Sequence, residues 1–310
     1  MEIRDYLVFF VLKLCAMGNL SNNKQATLLA LLATFFWSTV ATAFKFGLEQ
    51  LTPTQFLCWV IIIAWVILTI IIMSTGKWKI RVDKRSKYLA LAGGILNPFA
   101  YYLVLFHAYN QLPAQIAQSL NYTWPLVLVI FFFFFLRQAF KPMVFWGMLI
   151  SFGGVFVIFY GSMHSNLEVN LTGILLAVGS SLIWASYWIV NKLSNTHPIQ
   201  QIWLNFTSAI VLMVPYTLLT DGLPVPQLQG SLAAIYAALF EMALTFVIWL
   251  KALQLASSTD KISHYIYFSP FLSLVFINAF LHEPILLSTI GGLVLIVAGI
   301  IWTEYANKFR

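Results

Sequence analysis

Glu241 is the one acidic side chain set deep inside a long apolar run. A carboxylate there costs a few kcal/mol unless it carries a proton, finds a partner or sits beside water. The chemistry it offers is proton exchange or neutralisation of a cation. Asn97-Pro98 lies 144 residues upstream, midway along another apolar run. Proline removes a backbone donor and bends a helix, which frees a carbonyl to face a cavity. Gln111, Gln115, Gln118 and Tyr122 follow at spacings of four, three and four, a polar stripe on one helix face. Asn121 and Trp124 flank that stripe, and Pro125 is expected to bend the same helix. A second face carries Ser180, Trp184, Tyr187, Trp188 and Asn191. Trp184 falls near the middle of its run, where an interfacial aromatic belt does not explain it.

Trp37, Tyr101 (one turn after Asn97), Tyr265 and Tyr267 complete the aromatic set. Such residues suit a pocket that holds an apolar or aromatic group between rings, with amides on its polar end. Plain core packing is the competing account of each ring taken singly. Lys45, near the outer end of its helix, is expected to snorkel to the surface rather than bind a carboxylate. His282-Glu283 is expected to fix a tight turn. Gly147, Gly154 and Gly161 recur every seven residues, as do Gly292 and Gly299, a stripe for close helix packing. Pro98, Pro125 and Pro270 are the expected bending points.

The elements that position these groups follow from composition. The chain has 310 residues, 61% hydrophobic and 9% charged, against about 25% charged for an ordinary soluble domain. A soluble fold cannot cover its surface with so few charges, so this is an integral membrane protein. Gln50–Gly76, Pro142–Leu167 and Leu193–Thr220 contain no Asp, Glu, Lys or Arg. Lipid offers no partner to backbone polar groups, and continuous apolar runs select helices over a barrel. Ten spans are expected, near 26–48, 54–75, 88–111, 114–136, 142–161, 171–192, 199–219, 230–251, 260–281 and 285–305.

With the N-terminus cytoplasmic, sixteen of the seventeen Lys and Arg residues fall on the inner side, and only Lys45 lies toward the other. The net charge of +7 thus reports orientation in a cell membrane (inner or plasma), not a nucleic-acid partner. Residues 1–24 form a separate extension. It is expected to be interfacial, or to lie upstream of a true start at Met17, and it shows no signal-peptide cleavage site. Cys15 and Cys58 suggest neither a metal site nor a disulfide framework.

The chain also resembles itself. Trp37 and Lys45 match Trp184 and Lys192 at an offset of 147, Ala108 matches Ala252 at 144, and Pro125, Gly147 and Gly154 match Pro270, Gly292 and Gly299 at 145. Each copy holds five spans, 25–163 and 164–310. An odd number inverts the second copy, which is the architecture of many secondary transporters. Span 1 reads ATLLALLATFFWSTVATAFKFGLEQL, span 4 AQIAQSLNYTWPLVLVIFFFFFL, and the last two YFSPFLSLVFINAFLHEPILLSTIGGLVLIVAGII. These segments resemble the EamA family of the drug/metabolite transporter superfamily over about residues 24–306. Trp37-Ser38-Thr39 and Asn121-Tyr122-Thr123-Trp124-Pro125 are similar to its aromatic amino-acid exporters. The resemblance implies a ten-helix carrier with both termini cytoplasmic, moving small metabolites outward.

The expected function is therefore secondary export of amino acids or similar small metabolites by alternating access, with protons as the expected coupling ion at Glu241. The site would be lined by Trp37, Asn97, Tyr101, Gln118, Asn121, Tyr122, Trp124, Trp184, Tyr187, Trp188, Tyr265 and Tyr267. Efflux of cationic or amphipathic drugs and amines is the alternative, and a channel a weaker one. No GxxxxGK, HExxH or GxSxG motif is present, so ATP use and enzyme chemistry are not expected. No cofactor or metal is expected. The expected partners are the lipid bilayer, a small molecule and protons, and the oligomeric state is monomer or homodimer.

Overall fold

A computed structural model describes residues 21–76, 83–136, 142–257 and 262–308. The extension expected over 1–24 lies almost wholly outside the described residues. Among the latter there is no strand, and the helices are α1 (Asn22–Leu48), α2 (Pro53–Ser74), α3 (Lys84–Gln111), α4 (Ala114–Asn121), α5 (Trp124–Leu136), α6 (Pro142–Met163), α7 (Leu171–Lys192), α8 (Pro198–Thr220), α9 (Leu228–Leu255), α10 (His264–Leu281) and α11 (Leu287–Lys308). Nine of these are long and apolar enough to cross a membrane. Large apolar side chains such as Phe156, Leu175 and Val211 stay more than 60% exposed, as a lipid-facing surface requires. The chain is a polytopic helical membrane protein.

Local chemistry sets the starts of the helices. Thr52 and Gln55 form a capping box that brackets Pro53, whose missing N–H belongs to an unpaired first turn anyway. Asp83 accepts the Ser86 N–H at the start of α3, and Asn170 accepts the Gly173 N–H at 2.6 Å at the start of α7.

One expected span is divided. Residues 114–136 form α4, of eight residues, and α5, of thirteen, rather than one bent helix. Pro125 has no N–H to continue the ladder, so the chain tightens before it. The Thr123 N–H bonds the Leu120 carbonyl at 3.2 Å, and the Leu126 and Val127 N–H groups converge on the Thr123 carbonyl at 3.0 and 3.3 Å. The Thr123 hydroxyl ties the break to α7 through Ser181 at 3.1 Å.

Wide turns also occur within α3 and α9, and a third ends α10 over Ile277–Leu281. α3 passes through a wide π turn over Ile95–Ala100 and α9 through another over Ala238–Ala243. These segments hold Asn97 and Glu241, respectively. In α3 the break centres on Asn97-Pro98, where Asn97 takes extended backbone angles (φ −146°, ψ 121°). In α9 there is no proline. There the Thr245 hydroxyl donates 2.6 Å to the Phe240 carbonyl, five residues back, which satisfies a carbonyl that the wide turn releases.

Two helix pairs pack antiparallel. The Trp65 indole of α2 donates to Thr207 of α8 at 3.0 Å, and Trp203 of α8 donates to Thr69 of α2 at 2.9 Å. Each helix thus presents the same Trp-x-x-x-Thr pair to the other, a reciprocal contact of two-fold form. α6 and α11 meet along the glycine stripes. A methyl group on Gly154 would sit 2.4 Å from the Gly292 carbonyl oxygen, and one on Gly299 would sit 2.3 Å from that of Gly147. The backbones approach too closely for any side chain, so the packing account of the stripe holds.

Candidate functional site

The bundle encloses a cavity of about 520 Å³, walled by α1, α3, α4, α5, α7, α9, α10 and α11. Its walls are largely aromatic. Trp124 and Trp188 lie parallel, with centroids 6.4 Å apart and planes at 15°. Trp184 stands edge-on to both and packs against Tyr101 at 4.6 Å. Trp37 of α1 packs on Trp249 at 5.4 Å and Phe246 at 5.7 Å, both from α9, and Phe246 in turn lies 6.3 Å from Trp184. Gln118, Asn121, Tyr122, Pro125 and Tyr267 also line it.

Some polar groups of the walls bond one another, while the Trp188 indole N–H and the Thr303 hydroxyl are buried without a partner. Asn121 accepts from the Tyr101 hydroxyl at 3.1 Å and donates to Ser180 at 2.8 Å, so its amide sets the Tyr101 ring. The Gln118 oxygen accepts from Ser273 at 2.5 Å, a bond between α4 and α10. Glu241 lines the cavity from the π turn of α9. Its Oε1 accepts from the Tyr102 hydroxyl at 2.7 Å, and its Oε2 is buried with no hydrogen-bond partner. An unpartnered buried carboxylate oxygen is stable when it bears a proton or when a cation lies against the group.

Asn97, Tyr187 and Tyr265 are not among the lining residues. Asn97 is buried at the α3 break. The Tyr187 hydroxyl pairs with the Asn205 side chain of α8 at 3.2 Å, behind the aromatic wall. Tyr265 packs on the cluster built from Ala26, Leu29 and Ala33 of α1. Of the bending prolines only Pro125 reaches the cavity, whereas Pro98 and Pro270 are buried in their helices.

Sequence reasoning missed the contribution of α11. Ile300, Thr303 and Glu304 complete the wall at the end where the α9–α10 connection lies. Glu304 pairs with His264 at 2.9 Å and accepts the Tyr267 hydroxyl. The side chains of His264 and Glu304 keep 42% and 36% of their surface exposed, so the cavity has its mouth at this end. Glu304 sits one turn from the end of a span, where charge is inexpensive, and nothing in the sequence pairs it with His264. Among the described lining residues the only charged side chains are Glu241 and Glu304, and there is no Lys or Arg.

The opposite end is closed by polar ties. Lys45 does not snorkel: its ammonium donates to the Tyr109 and Leu112 carbonyls at 2.9 and 3.1 Å, capping the end of α3. These carbonyls have no further helical turn to bond them, which makes them better partners than a distant surface. Glu283 does more than hold its turn, because its carboxylate accepts the Ala114 N–H at 2.9 Å at the start of α4. Gln115, one residue of the expected cavity stripe, is used here instead, donating to the Pro284 carbonyl and accepting from the Leu286 N–H.

Comparisons with known proteins give the family and the fold. The model of the EamA-like transporter family matches residues 24–160 and again residues 171–305. A Bacillus subtilis (strain 168) protein named as the uncharacterized transporter YvbV is 26% identical over 297 residues, covering 94% of this chain and 95% of its own. An uncharacterized transporter of Archaeoglobus fulgidus is 27% identical over 284 residues, covering 89% and 97%. A solved crystal structure shares the fold, with a TM-score of 0.66 and 19% identity over 93% of this chain and 99% of the other. The matches cover most of the chain in two successive stretches, and the protein belongs to the EamA-like transporter family.

Proposed function

We propose that this transporter is a secondary carrier that exports small organic cations bearing an aromatic or apolar group, by alternating access and in exchange for protons. The observation that carries this reading is Glu241. It is a carboxylate with one oxygen buried and unpartnered, on an aromatic-walled cavity where no described side chain is basic. A proton and a substrate cation would compete for that group, which is the minimum chemistry of exchange. The tryptophan and tyrosine faces attract cations as well as apolar groups. Trp37, Tyr101, Gln118, Asn121, Tyr122, Trp124, Trp184, Trp188 and Tyr267 would form the binding wall. Asn97, Tyr187 and Tyr265 would support it from behind.

An amino acid is the second reading. Its carboxylate would have no basic partner in the cavity and would rely on neutral donors, the Gln118 amide and the unpartnered Trp188 indole N–H. That asymmetry favours the cation.

The mechanism would follow from two inverted five-helix repeats, 25–163 and 164–310, with α4 and α5 together forming a tenth crossing. The π turns of α3 and α9, the reciprocal Trp-x-x-x-Thr contact and the antiparallel glycine seam support this. Two near-equivalent halves can open to either side at similar free energy. With the basic loops cytoplasmic, the mouth at Glu304 would face the cytoplasm and the Lys45 end the exterior of the cell membrane.

The test is uptake into proteoliposomes of labelled amino acids, amines and benzyltrimethylammonium, with and without an imposed pH gradient. Saturable, gradient-driven flux of the cation is expected. Flux confined to amino acids would overturn the cation reading, and no saturable flux of any compound would overturn the carrier site itself.

A further inference from the structure

We propose that Glu304 is a second cation-binding point, at the mouth, which captures the substrate before it reaches Glu241; this rests on the cation reading above. Two observations meet there. Glu304 lines the same cavity as Glu241 but from its half-exposed end. Its partners leave it able to accept more: one oxygen takes the Tyr267 hydroxyl and the other pairs with His264, whereas a carboxylate offers about four acceptor sites. A carboxylate at the lip offers an approaching cation a local partner of opposite charge.

Geometry also assigns His264 a part. Its ring nitrogen lies 2.9 Å from the oxygen that an incoming cation would use, so the imidazole and the substrate compete for Glu304. Tyr267 both bonds Glu304 and lines the cavity, which connects the mouth to the aromatic walls. A cation released from Glu304 would therefore pass directly onto ring faces on its way to Glu241.

The purely structural account is that Glu304 and His264 only tie α11 to α10. The two accounts differ in sidedness. The experiment measures benzyltrimethylammonium uptake by the full chain in proteoliposomes of known orientation, presenting the cation to one face at a time. With Glu304→Gln the half-saturating concentration should rise about tenfold from the basic face, and should change little from the opposite face. Glu304→Asp should keep most of the wild-type value. His264→Gln, which removes the competitor and leaves the carboxylate, should not raise it. Equal changes from both faces, or the same rise in His264→Gln as in Glu304→Gln, would show a tie alone and overturn the proposal. Wild-type flux with unaltered kinetics in Glu304→Gln would overturn the mouth site and leave the Glu241 reading standing. Absence of any wild-type flux would overturn both.

Discussion

Lys45→Met should open the closed end of the cavity. In the structure the Lys45 ammonium holds two carbonyls at 2.9 and 3.1 Å, linking α1 to the end of α3. A hydrogen bond to a charged group is worth about 1.5–3 kcal/mol net. If the end opens, water replaces both contacts, so only the closed state loses them when the lysine is removed. A differential loss of about 2 kcal/mol shifts the equilibrium toward the open state roughly 30-fold. An open population of about 1% would then rise to roughly a quarter. The assay is labelling of Leu105→Cys, a buried residue that lines the cavity beneath Tyr109. Cys15 is replaced by Ser, and Cys58 is fully buried. A membrane-impermeant maleimide added from the face opposite the basic loops should react many-fold faster in the Lys45→Met background. Equal labelling rates would refute the claim that Lys45 keeps this end shut.

Three further outcomes are expected. Gly154→Leu should force α6 and α11 apart, because even a methyl group there meets the Gly292 carbonyl at 2.4 Å; a loss of about 1–3 kcal/mol should appear as earlier thermal unfolding in detergent, and an unaltered transition would contradict the seam. A double-mutant cycle on Trp65→Phe with Thr207→Val should give a coupling of about 0.6 kcal/mol, matched by Trp203→Phe with Thr69→Val, since the two contacts are equivalent. Two clearly different values would remove the two-fold relation. Trp188→Ala should weaken binding of benzyltrimethylammonium about 3- to 30-fold while affecting tetramethylammonium less, because the stacked Trp124–Trp188 pair offers its surface to a ring. Calorimetry in nanodiscs would read both, and an equal loss for the two cations would place the aromatic contact elsewhere.

The sequence exposes whatever is repeated or averaged over many residues. The spans follow from apolar runs such as Gln50–Gly76, and the seam follows from glycines seven apart. Most of the aromatic wall is legible because rings such as Trp184 lie where interfacial placement fails. The Asn97-Pro98 break is legible because a proline midway along an apolar run removes a backbone donor. Its counterpart at Glu241 is not, since Thr245 stabilises that π turn through a single hydroxyl and threonine is common in membrane helices. The division of residues 114–136 was hidden for a related reason. A proline can bend a helix or end it, and the tie between Thr123 and Ser181 of α7 that accompanies this break is a tertiary contact. Glu304 and Lys45 were misjudged or missed because a charge near a helix end has a ready explanation in the interface. Only the tertiary partners, His264 and Tyr267 for one and the end of α3 for the other, show what they do.

In the exchange mechanism proposed above, one carboxylate, Glu241, serves proton and cation in turn. Proteoliposomes loaded with a pH-reporting dye measure it directly, when benzyltrimethylammonium is added across a membrane held at zero potential. Wild-type protein should move protons against the cation. Glu241→Gln should bind the cation weakly and move no protons, with Tyr102 left donating to a neutral amide. Cation-driven proton movement that persists in Glu241→Gln would contradict the account.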